Sequence, residues 1–111
     1  MDEKQKQQIE AHGRATTAFI DLANKLAKEP GQDPKVVSAA LMAASGIYAT
    51  FVAAGNDGFL APSGVDKVAS IYKHNLAYIQ ERKRDELVAQ GKEPRQVGVS
   101  ESAAGTDGKQ D

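Results

Sequence analysis

Val36-Val37-Ser38-Ala39-Ala40-Leu41-Met42-Ala43-Ala44-Ser45-Gly46-Ile47-Tyr48-Ala49-Thr50-Phe51-Val52-Ala53-Ala54-Gly55-Asn56 is a run of 21 residues without a charged side chain. Wound as an α-helix it would be about 31 Å long, the thickness of a bilayer's hydrocarbon core. Its chemistry argues against insertion. A third of the run is alanine, and Ser38, Ser45, Gly46, Thr50 and Gly55 interrupt it. The residues that carry most insertion energy are confined to Val36, Val37, Leu41, Ile47, Phe51 and Val52. Six basic residues precede the run and eight follow it, a weak orienting signal. The expectation is a central helix of a soluble protein, covered on most sides. Its limits are written in the flanks. Asp33 is an N-cap residue whose carboxylate can accept a free first-turn amide, and Pro34 sits where its missing N–H costs nothing. Gly55-Asn56-Asp57-Gly58 stops the helix near Ala54.

Working outward, Ile9, Thr16, Phe19, Ala23 and Leu26 recur at helical steps, widened by Ile20 and Leu22. They predict a first helix over about 4–28, frayed as far as His12 by Gly13, with Glu29-Pro30-Gly31 as its stop. Val65, Val68, Ala69, Tyr72, Leu76, Ile79 and Leu87 predict a third helix over about 63–90, begun by a near capping box at Ser63-Gly64-Val65-Asp66. Residues 91–111 hold no aromatic, Leu or Ile, and are expected to form a disordered tail. The fold class is therefore all-α: a three-helix bundle over residues 1–90 with a central Ala-rich helix. Phe19, Leu22, Leu41, Phe51, Tyr72 and Leu76 are expected to share its core.

Composition narrows the function classes. The chain has 111 residues, 41% of them apolar, and a formal charge of −1, so no global field draws it to nucleic acid or anionic lipid. The absence of cysteine excludes disulfides, thiolate metal sites and a cysteine nucleophile. The first residues, Met1-Asp2-Glu3-Lys4, lead into no apolar segment of signal-peptide length, and the expected location is cytoplasmic.

The motifs that might carry chemistry are weak. His74, Tyr78 and Glu81 fall on one helix face and would form an acid–base set, but an ordinary polar face between Lys73 and Asn75 looks the same. Asn56-Asp57-Gly58 starts like a calcium loop and lacks the remaining ligands. Arg82-Lys83-Arg84 can touch phosphates, yet Glu81, Asp85 and Glu86 flank it and pair with it at helical spacing. No catalytic residue, cofactor or metal follows from these patterns. The informative surface is made of small residues on the second helix. Ala39, Ala43, Gly46, Ala49 and Ala53 would let another helix approach closely, with Ile71 and Tyr78 of the third helix as further contacts.

Phe19-Ile20-Asp21-Leu22-Ala23-Asn24, Val37-Ser38-Ala39-Ala40-Leu41-Met42-Ala43-Ala44 and Phe51-Val52-Ala53-Ala54 together resemble a small proteobacterial family catalogued only as a domain of unknown function. The resemblance covers about residues 15–88, with Tyr72 as the family's last-helix tyrosine. It departs at Ser45-Gly46-Ile47-Tyr48, where an arginine-containing segment is expected. The family brings no activity, substrate or site residue. The reading is a non-enzymatic interaction or structural module, self-associating as a homodimer or joined to another protein. The alternative is a binder of nucleic acid or of a regulatory protein through residues 82–84.

Overall fold

The computed structural model describes residues 2–99, which contain three α-helices and no strand: α1 (Glu3–Leu26), α2 (Pro34–Ala54) and α3 (Pro62–Ala89). The all-α, three-helix class read from the sequence is the observed one. The described residues divide into two compact units, one ending at Ala44 and the other formed by Ser45–Gly98, so that α2 contributes to both. Residues 91–99 carry neither helix nor strand, and the rest of the expected disordered tail, 100–111, lies outside the described residues.

Local chemistry accounts for each boundary. The Asp2 carboxylate accepts from the Gln5 backbone N–H at 2.8 Å, while the Gln5 side chain accepts from the Asp2 N–H at 3.2 Å. This reciprocal box starts α1 at Glu3, and the turn expected to fray is regular helix. Asp33 caps α2 as expected: its Oδ1 accepts from the Val36 N–H at 3.0 Å. At the other end Gly55 donates its N–H to the Phe51 carbonyl at 2.8 Å and takes φ +75°, the left-handed conformation that closes a helix. Gly58 is fixed by space instead. A Cβ there would lie 2.5 Å from the Ala54 carbonyl oxygen, so only glycine lets the chain turn so tightly. The start of α3 differs from expectation. Ala61, which offers no side-chain cap, precedes Pro62 at the first helical position, and Ser63 lies inside the helix. Proline's fixed φ outweighs the serine's capping capacity.

The residues expected to share a core are not buried. Phe19, Leu22, Leu41, Phe51, Tyr72 and Leu76 are each 37–64% exposed, and Val37, at 5%, is the one buried hydrophobic residue among those described. The reason is coverage. In each unit α2 supplies one stretch and one long helix stands beside it, and a helix with a single neighbour buries only a narrow strip.

Two substitutions measure these terms in thermal or urea melts at fixed protein concentration. Asp33→Ala should destabilise the fold by about 1 kcal/mol, the usual worth of a carboxylate N-cap. Val37→Ala should cost about 2 kcal/mol through lost burial and the residual cavity. A change below about 0.5 kcal/mol, as for a surface site, would contradict the placement of Val37.

Candidate interaction surface

At about 100° per residue, Ile47, Tyr48, Phe51 and Val52 fall on one side of α2. The small residues Ala39, Ala43, Gly46, Ala49 and Ala53 fall on nearly the opposite side. The bulky side is the barer one. Ile47, Tyr48 and Val52 are each about two-thirds or more exposed, and the Tyr48 and Phe51 rings stand 5.8 Å apart, tilted at 44°. On the small side Ala39 and Ala49 are half-buried, while Ala43 and Ala53 are exposed. A Cβ at Gly46 would meet nothing within 4 Å, so the helix backbone there faces open space.

The same pattern continues beyond α2. Phe59, in the turn before α3, is 88% exposed, whereas its neighbour Leu60 is half-buried and reaches to within 3.4 Å of a Cβ built on Gly64. On α3, Val65, Ile71, Tyr72, Leu76, Tyr78 and Ile79 are all exposed, and on α1 so are Ile9, Phe19, Ile20 and Leu22. Sequence reasoning marked the small residues of α2 and passed over the bulky patch, placing only its Phe51 in the core. Its signal was present in the i, i+1, i+4, i+5 spacing of Ile47, Tyr48, Phe51 and Val52, and in a phenylalanine within a glycine-containing turn.

The polar residues singled out in the sequence are not brought together. His74 Nδ1 lies 2.8 Å from the Ser70 carbonyl oxygen. A carbonyl only accepts, so Nδ1 carries the proton in this bond. Tyr78 faces the other way along its helix: its hydroxyl accepts from Arg82 Nη1 at 3.1 Å, and the Arg82 guanidinium stands 5.9 Å from its ring centroid. The engagement of Arg82 is thus with Tyr78, four residues back, rather than with the expected Glu86. Asn56-Asp57-Gly58 forms the exposed turn after α2. Among the described residues no three His, Asp or Glu side chains approach closely enough to hold a metal ion.

By length and composition α2 could cross a membrane, with a mean hydropathy of 1.8 over its most apolar window and 6% of that window buried. No protein-family model, curated protein or solved structure matches this chain. Its resemblance to the proteobacterial family rests on the quoted segments alone, and the reading of its surface rests on the geometry above.

Proposed function

We propose that this chain is a non-enzymatic interaction module whose exposed helical faces dock apolar surface of another protein chain. One observation carries the reading: among the described residues one hydrophobic residue is buried, while large apolar side chains on all three helices stand exposed. An apolar patch left open to water marks a place of association, because burying such a side chain fully is worth about 1.5–3 kcal/mol. The polar groups support the same reading. His74 Nδ1 bonds to the Ser70 carbonyl of its own helix, and the Tyr78 hydroxyl accepts from Arg82, so each is engaged within α3. The basic turn at residues 82–84 is flanked by Glu81, Asp85 and Glu86, which weakens its pull on phosphate.

Photo-crosslinking in cells tests the proposal. A benzophenone side chain placed at Ile47, Tyr48 or Val52 should give discrete protein adducts, whereas one at Lys25 or Lys92 should give none above background. Absence of any protein adduct at the three α2 positions, in a chain that is folded and expressed, would remove the docking reading.

A further inference from the structure

We propose that Asp57 is a site of spontaneous covalent modification, isomerising to a β-linked isoaspartate through a succinimide closed by the Gly58 backbone nitrogen. The inference is independent of what docks on α2.

The reaction is a ring closure within one dipeptide, so the reacting atoms are already held together. The Gly58 nitrogen attacks Cγ of Asp57. The N–Cγ bond forms, the Cγ–O bond breaks, and the carboxyl hydroxyl leaves with the amide proton as water. A second water then opens the five-membered ring. Attack at Cγ restores aspartate. Attack at the main-chain carbonyl carbon leaves the chain running through Cβ and Cγ, with the same mass and one free carboxylate as before. The closure is favoured by a following residue without a side chain, by a backbone N–H outside a helix, and by an open turn.

Asp57 meets these conditions together, and the other aspartates of the described residues do not. Asp2, Asp21, Asp66 and Asp85 precede Glu3, Leu22, Lys67 and Glu86, whose side chains crowd the attacking nitrogen. Leu22, Lys67 and Glu86 also stand inside helices, where the N–H belongs to the i→i−4 ladder. Asp33 precedes Pro34, which has no N–H. Asp2 and Asp33 moreover hold their carboxylates in helix caps. Asp57 precedes a glycine, lies beyond the last residue of α2, and sits in a turn exposed from Gly55 to Phe59.

The fold keeps position 58 from escaping this chemistry. A Cβ there would lie 2.5 Å from the Ala54 carbonyl oxygen and 3.0 Å from the Ala54 Cβ, so no side chain fits that could shield the nitrogen. The residue that lets the chain turn tightly is the one that leaves its own nitrogen open. The isomer adds one methylene to the main chain at this close passage, and so loosens the turn between α2 and α3.

Peptide mapping of the folded chain, warmed for weeks in mildly acidic buffer below its melting temperature, reads the product. Trypsin releases Val36–Lys67, which holds Asp57 and Asp66. It also releases Gln96–Lys109, which holds a second Asp-Gly pair, Asp107-Gly108, outside the described residues. An isoaspartyl methyltransferase with a labelled methyl donor marks β-linked residues in each peptide. Label should accumulate in Val36–Lys67 with time and be lost in Asp57→Glu, whose side chain closes only a slower six-membered ring. The melting temperature should fall on ageing in the unaltered chain and hold steady in Asp57→Glu. Label in Gln96–Lys109 alone shows that the turn holds the Gly58 nitrogen away from Cγ, and overturns the proposal. Absence of label from both peptides overturns it as well. Label that persists in Val36–Lys67 of Asp57→Glu belongs to Asp66 and removes the assignment to Asp57. Equal melting behaviour of the two aged chains overturns the loosening of the turn.

Discussion

An uncharged helix of this length has to be covered around most of its circumference, and the rest of the molecule follows from how little of that cover one chain provides. Bulky residues occupy one side of α2 and small ones the other, with nothing ionic between Val36 and Asn56 to favour water. Each compact unit sets one long helix beside one stretch of α2. Apolar burial stabilises by about 25 cal/mol for each Å² removed from water, and the ordering of a chain this size costs on the order of 1 kcal/mol or more per residue. With Val37 as the one buried hydrophobic residue described, much apolar side-chain surface of the helices stays in water.

What holds the helices in place meanwhile is local. The Asp2–Gln5 box, the Asp33 cap and the Gly55 closure each satisfy backbone groups that a helix end leaves without partners. At the end of α3 the Lys92 N–H reaches the Leu87 carbonyl at 2.9 Å, the six-residue closure of a Schellman turn. Each such bond is worth about a kilocalorie or less, enough to fix where a helix begins and ends but not enough to hold three helices together.

This division explains what could be read in the sequence. The limits of α2, Pro34 and Ala54, follow from Asp33-Pro34 before it and Gly55-Asn56-Asp57-Gly58 after it, because caps and turns are written in adjacent residues. The start of α1 was read to within a residue, but its regularity was not, and for a local reason: Asp2 and Gln5 sit in a polar stretch that looks like a frayed end unless the two side chains are paired. At α3 two local signals competed, and Pro62 prevailed over Ser63. The core was not legible in the same way. Periodicity places Phe19, Phe51, Tyr72 and Leu76 on apolar stripes, but a stripe states which side of a helix avoids water and not which chain covers it. The candidate surface suffered from the same gap. Gly46 and its alanine neighbours were marked for their smallness, while of the bulky residues beside them only Phe51 was given a place, in the core, and Ile47, Tyr48 and Val52 were given none.

Charge placement separates α2 from its two neighbours in sequence. Lys35 is the single charged residue of α2, and it lies in the first turn, whereas α1 and α3 carry both signs along their length. An ion keeps its hydration only on a side open to water, so α1 and α3 each combine a charged side with an apolar stripe. From Val36 to Ala54 the second helix has no ionic side at all, and its bare residues Ile47, Tyr48 and Val52 have no charge on their own helix beyond the first turn to hold water against them. That is why the candidate surface is assigned to α2 rather than to the equally exposed but charge-bordered stripes of α1 and α3.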